Sequence, residues 1–246
     1  MRLYGLIGYP LSHSFSEQYF TRKFELEHLD DCIFKSFPIE AITEFPNLLE
    51  SNPLLKGLGV TIPYKEKVLP YLSVLSDEVK QIGATNSIKI SGQGLIAYNT
   101  DITGFEKSFV KSLKPHHTKA LVLGTGGASK AVQYVLKKLN IDFLIVSRND
   151  NQKNTVINYN MITEDLIGNY TIVINCTPVG MWPHDSESVN IPYDFITPEH
   201  YVFDLIYRPE KTLLLRKSEE KGATIQNGYE MLIIQAEESW KIWNSE

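Results

Sequence analysis

The chain has 246 residues, 43% hydrophobic and 22% charged, the proportions of a globular protein with core enough for one large domain or two modest ones. A formal net charge of −5 argues against a nucleic-acid or anionic-membrane surface, so an anionic ligand needs a local cluster of donors. Cys32 and Cys176 lie in apolar runs without metal-site spacing and read as reduced core thiols; no metal is expected.

In chain order, residues 2–7 read as a first strand that breaks at Pro10. That stretch lacks the form of a secretory leader, and no run approaches the length of a membrane span, so a cytoplasmic protein is expected. A loop holding Ser12, His13 and Ser14 follows, then a helix over 17–28, a strand over 32–37, and a helix over 39–49 interrupted near Pro46. Residues 55–62 read as a strand, after which Pro63 suits the first turn of a helix carrying Tyr64, Lys65 and Val68. Residues 86–90 and 95–99 form a hairpin around Ser91-Gly92-Gln93-Gly94. Ile102, Phe105, Phe109 and Leu113 stripe a helix, with Asp101 placed to cap it.

The most informative stretch runs from Lys119 to Arg148. A buried strand at 120–123 meets Gly124-Thr125-Gly126-Gly127, then an amphipathic helix with Ala128, Ala131, Val132, Val135, Leu136 and Leu139, then a strand at 143–146. Glycines let a ligand approach the backbone, and a helix start offers unpaired N–H groups to phosphate. An acid after the second strand would mark an NAD ribose. Ser147 and Arg148 stand there instead, and a guanidinium suits a 2′-phosphate, so an NADP site is expected.

Further strands at 172–175 and 201–205, a helix over 212–221 ending at Gly222, and a terminal helix striped by Tyr229, Leu232, Ile233, Ala236, Trp240 and Trp243 complete the chain. Strands alternating with helices on both sides of residue 100 predict two α/β lobes: 1–100 with the helix 227–246 returning to it, and 101–226. Ligands in such folds lie beyond the carboxyl ends of strands. There the sequence places Ser12, Ser14, Thr61, Lys65, Asn86, Asp101, Tyr207 and Gln235. Singly these suit turns, caps or solvated positions; together they suit a polyhydroxylated small acid, with a Lys–Asp pair for the proton that accompanies hydride transfer. His13 reads as a loop residue.

Several segments together resemble the shikimate dehydrogenase family along nearly the whole chain. Gly8-Tyr9-Pro10-Leu11-Ser12-His13-Ser14 is similar to that family's G-x-P-x-x-H-S segment, which implies that Ser12 and Ser14 hold a substrate carboxylate. Lys56-Gly57-Leu58-Gly59-Val60-Thr61-Ile62-Pro63-Tyr64-Lys65 resembles K-G-x-N-V-T-x-P-[FHY]-K, which implies a substrate contact at Thr61 and a catalytic Lys65. Gly83-Ala84-Thr85-Asn86-Ser87 resembles G-A-[VI]-N-T, and Asn99-Thr100-Asp101 matches N-T-D, giving Asn86 to the ring hydroxyls and Asp101 to Lys65 as partner. Gly124-Thr125-Gly126-Gly127-Ala128, Ser147-Arg148 and the Asn175, Thr177 and Gly228 positions correspond to the family's cofactor side; Tyr207 and Gln235 correspond to its substrate side.

The resemblance implies a substrate-binding α/β domain, a Rossmann-like NADP-binding domain, and reversible NADPH-dependent reduction of 3-dehydroshikimate to shikimate in chorismate and aromatic amino-acid biosynthesis. It implies a small-molecule substrate, no nucleic-acid or membrane partner, and a monomer or homodimer. Gly59 departs from the family asparagine and would remove an amide hydrogen bond. Two rivals stand beside this reading: a quinate/shikimate dehydrogenase using NAD, and a non-catalytic shikimate-binding relative.

Overall fold

The computed structural model describes residues 1–11, 15–148 and 155–245. The chain divides by contact into residues 1–100 with 236–246 and residues 101–235. By contact the second unit takes in the start of the terminal helix, up to Gln235.

The first unit carries β1 (Arg2–Gly8), α1 (Phe15–Leu26), β2 (Cys32–Pro38), α2 (Phe45–Ser51), β3 (Leu55–Val60), β4 (Val74–Leu75), α3 (Asp77–Ile82), β5 (Ser87–Ser91) and β6 (Gly94–Tyr98). Its sheet has the order β2-β1-β3-β5-β6-β4. β1 is parallel to β2 and β3, and the β5–β6 hairpin runs antiparallel beside β3. Alternation in β1 sends Leu3 and Ile7 to one core with Phe45 and Leu48, and Tyr4 and Leu6 to another with Phe20, Phe24 and Trp243. That second layer is aromatic: Phe20 stacks on Phe34 at 4.7 Å and Tyr4 on Trp243 at 5.6 Å. A Cβ at Gly57 would overlap the Trp243 ring, so glycine lets the indole lie on β3. Lys89 Nζ donates to the Ser245 carbonyl at 2.6 Å and fixes the end of the chain.

The second unit holds most of α4 (Thr100–Phe109), then β7 (Lys119–Leu123), α5 (Gly127–Lys138), β8 (Asp142–Ser147), β9 (Val156–Asn158), α6 (Glu164–Asn169), β10 (Ile172–Asn175), β11 (Tyr201–Asp204), α7 (Leu213–Glu220), β12 (Thr224–Asn227) and the start of α8 (Tyr229–Asn244). All pairs in its sheet are parallel, in the order β12-β11-β10-β7-β8-β9. Numbered within the unit this is 6-5-4-1-2-3, the doubly wound nucleotide-binding order, and its direction reverses between β7 and β10. Leu121, Leu123, Val173 and Val202 pack with Ile167 and Leu214 on one face. Phe105 and Phe109 meet Phe203 and Tyr201 at 5.2 and 5.3 Å on the other.

Three expectations change. Residues 62–68 are turns, not a helix, because the Lys65 carbonyl accepts from Thr85 N at 2.8 Å instead of continuing a helical ladder. Pro46 stands in the first turn of α2 and starts that helix. Asp101 lies inside α4; the first N–H of that helix, from Thr100, is taken by Asn86 Oδ1 at 2.7 Å.

Candidate active site

In the first unit the carboxyl ends of β1, β3 and β6 meet the start of β5, and backbone hydrogen bonds draw Thr61, Lys65 and Asn86 to that end. Thr61 N donates to the Ile7 carbonyl at 2.9 Å, and Val60 N to the Asn86 carbonyl at 2.8 Å. Thr85 N binds the Lys65 carbonyl, so Lys65 and Asn86 are anchored to one another through backbone. Asn86 is buried, and its Nδ2 donates to Thr100 Oγ1 at 3.0 Å. Thr100 Oγ1 in turn stands 2.9 Å from Ser239 Oγ. Thr100 was no expected site residue, and its place in N-T-D was the available signal.

Gly59 lies between Leu6 and Ser87 in the sheet register, and an ideal Cβ there would stand 2.9 Å from Leu6 Cδ1. An apolar methyl occupies the space an asparagine side chain would enter. Ser12 and Ser14, expected to hold the carboxylate, lie outside the described residues, as does His13. Asp101 is the second residue of α4 and is buried, but it falls in the second unit, whereas Lys65 falls in the first.

The second unit gathers the expected cofactor side at the carboxyl ends of its parallel strands. Gly124 has φ +105°, a left-handed conformation that favours glycine, and Ser129 Oγ donates to its carbonyl at 2.7 Å. Gly126 takes the cap position of α5 and, among the described residues, makes no side-chain cap hydrogen bond; a Cβ on it would meet nothing within 4 Å. Thr125 and Gly126 are exposed, and Gly127 and Ala128 open the helix. This open, uncapped cradle fits a phosphate bound by backbone N–H groups.

Across the point of reversal, Thr177 Cγ2 stands 3.0 Å from the Cβ position of Gly124. Asn175 Oδ1 accepts from Thr177 N at 3.0 Å and Thr177 Oγ1 at 2.7 Å. Ser147 ends β8 buried, and Arg148 follows it exposed, its carbonyl accepting from Asn158 Nδ2 at 3.3 Å. Gly228 N binds the Ile206 carbonyl at 3.1 Å, and a Cβ on Gly228 would overlap the Leu205 carbonyl. Tyr207 is half-buried, and burial raises its phenol above its usual range. Gln235, half-buried in α8, donates from Nε2 to the Leu232 carbonyl at 3.0 Å.

Both cysteines are free thiols. Burial pushes the Cys32 thiol up to about 11, and burial beside the Asp204 charge raises Cys176 further. Among the described residues no group of three or more His, Cys, Asp or Glu could hold a metal, and no helix is long and apolar enough to cross a membrane.

A glycine turn at the reversal of a doubly wound parallel sheet, uncapped helix N–H groups and a cation after the second strand define a dinucleotide-binding α/β protein of the dehydrogenase type. The family profile described as the shikimate dehydrogenase substrate binding domain matches residues 6–88. A shikimate dehydrogenase (NADP(+)) from Aquifex aeolicus is 37% identical over 253 residues, covering 99% of this chain and 91% of that protein. A crystal structure of shikimate dehydrogenase from Aquifex aeolicus superposes with a TM-score of 0.88 at 36% identity, covering 99% and 92% of the two chains. The Thermus thermophilus enzyme in complex with NADP(H) and shikimate has a TM-score of 0.84 at 27% identity, covering 99% and 94%. The chain belongs to the shikimate dehydrogenase family.

Proposed function

We propose that this protein catalyses the reversible NADPH-dependent reduction of 3-dehydroshikimate to shikimate, in the cytoplasm, as a step of chorismate and aromatic amino-acid biosynthesis. The observation that carries the reading is the uncapped glycine turn at the reversal of the 6-5-4-1-2-3 sheet, with Arg148 where an NAD site would hold an acid. The cofactor, when bound, supplies the hydride that the ketone carbon accepts. Gly124, Thr125, Gly126, Gly127 and Ala128 would hold its phosphates, Ser147 and Arg148 its 2′-phosphate ribose, and Asn175, Thr177 and Gly228 its remaining edge.

On the substrate side, Ser12 and Ser14 would bind the carboxylate, and Thr61, Asn86, Tyr207 and Gln235 the hydroxyls. The Lys65 ammonium stabilises the developing alkoxide and gives it a proton, and the Asp101 carboxylate orients the lysine and the neighbouring substrate hydroxyl. The substrate domain in this reading is 1–100 with the terminal helix, and the NADP domain 101–226.

The test is absorbance in the near-ultraviolet band of NADPH, with purified protein, shikimate and NADP⁺. A steady rise is expected, with kcat lowered about 10²–10⁴-fold in Lys65→Ala and markedly in Asp101→Asn. Normal kcat in Lys65→Ala would remove the lysine from the chemistry. No rise with the wild-type protein would remove the activity.

A further inference from the structure

Asp204 ends β11 with no solvent exposure, at the same end of the sheet as the glycine turn, and it stands outside the residues assigned above to substrate or cofactor. Its Oδ1 accepts from Asn175 Nδ2 at 3.0 Å and from Ile206 N at 3.1 Å; its Oδ2 accepts from Thr212 Oγ1 at 2.7 Å. All three donors are uncharged. A carboxylate buried among neutral partners is a poor choice for stability alone, and burial pushes this one up to about 6.

What the carboxylate supplies is direction. An ionised carboxylate only accepts, so Asn175 must turn its Nδ2 toward Asp204 and its Oδ1 away. That Oδ1 then receives Thr177 N and Thr177 Oγ1. With its proton committed to Asn175, Thr177 Oγ1 accepts from Val179 N at 3.3 Å, and its methyl rests against Gly124. Asp204 Oδ1 also holds Ile206 N, one residue before Tyr207. An amide at 204 keeps one oxygen for Asn175 Nδ2 and Ile206 N but carries no charge, so it holds the Asn175 amide, and through it Thr177, more weakly.

We infer that Asp204 is a positioning residue for the dinucleotide: through Asn175 and Thr177 it sets the loop that faces the glycine turn across the sheet's point of reversal. The inference rests on the NADP-binding reading of this unit. Asp204 touches no reacting atom in this arrangement; it acts through Asn175 and Thr177.

The experiment is calorimetric titration of the full chain with NADP⁺ and, separately, with shikimate, in the wild-type, Asp204→Asn and Thr212→Val proteins. Asp204→Asn is expected to weaken NADP⁺ about ten-fold, the size of one lost directed hydrogen bond. Shikimate affinity should stay within about two-fold and the unfolding midpoint should not fall, since a buried charge has been removed. Thr212→Val removes the donor to Oδ2 and, with it, the cap that takes Leu215 N at the start of α7, while leaving the Oδ1 arm to Asn175, so it should lower the midpoint and leave NADP⁺ affinity within about two-fold.

Unchanged NADP⁺ affinity in Asp204→Asn would overturn the inference while leaving the function intact. So would equal weakening of both ligands with a lower midpoint, or a Thr212→Val protein as impaired for NADP⁺ as Asp204→Asn. Failure of the wild-type protein to bind NADP⁺ would overturn both the inference and the reading beneath it.

Discussion

Arg148 follows β8 with its side chain exposed and its carbonyl held by the Asn158 amide. A guanidinium at this place meets a 2′-phosphate with parallel charged donors, but gains little from a plain ribose hydroxyl. Removing one such charge-assisted contact costs about 1.5–3 kcal/mol. Arg148→Ala is therefore expected to lower kcat/KM for NADP⁺ about 10–100-fold and to leave that for NAD⁺ nearly unchanged. Steady-state assays with both nucleotides decide the matter; equal losses would show that the guanidinium does not read the phosphate. The expectation at this residue rests on charge alone at the position after the second strand. Asp204 was not legible, since one aspartate at a strand end reads like any polar terminus until its three donors are seen.

The junction of β12 with α8 turns on Gly228. Its N–H binds the Ile206 carbonyl, and the backbone of Leu205 lies where a Cβ would stand. Gly228→Ala must push the loop after β11 away from the start of α8, at a cost of about 1–3 kcal/mol, read as a lower urea midpoint with kcat/KM for NADP⁺ reduced. An unchanged midpoint would mean the two loops separate freely. Elements of this unit were legible where the chain is buried on both faces: β7, β10 and β11 are continuous apolar runs, and the stripe of α5 is unbroken. β12 was missed because its four residues are half-buried and mostly polar. α3 and α6 were missed despite their caps, Ser76 Oγ accepting from Val79 N and Thr163 Oγ1 from Leu166 N, with acids in both first turns. Six residues are too few to display a helical stripe. The helix expected from Pro63 failed for a tertiary reason, since Thr85 claims the Lys65 carbonyl. The loop motifs around Thr61 and Asn86 stand out in the sequence as polar loop segments, whereas their mutual anchoring through backbone needed the fold.

At the scale of the whole molecule, acid should loosen the second unit through two histidines that are not among the expected site residues. His117 Nδ1 accepts from Lys114 N at 2.9 Å while Nε2 lies 3.0 Å from the Glu199 carbonyl; His200 Nδ1 accepts from Thr197 N at 3.0 Å while Nε2 lies 3.0 Å from the Ile167 carbonyl. Each ring must therefore be the neutral Nε2–H tautomer, and a second proton would set N–H against N–H. Burial is the first cause that lowers both below the ordinary 6.5. As pH falls through 6.5 the unfolded chain takes up protons that these two sites refuse, so stability declines, and it goes on declining until the folded-state values are passed. Asp204 works in the opposite sense. Its carboxyl sits at about 6 against an ordinary 3.8, so below about 6 the folded state binds a proton the unfolded chain does not, and stability is regained. Urea midpoints between about pH 7.5 and 5 separate the two effects. His200→Gln should flatten the decline that begins near 6.5, and Asp204→Asn should steepen it below about 6, because the compensating proton has no site. A His200→Gln protein with the wild-type slope would show that this ring takes a second proton in the fold. An Asp204→Asn protein with the wild-type slope would show that the carboxyl at the end of β11 is already protonated at neutral pH, or never protonates in the fold at all.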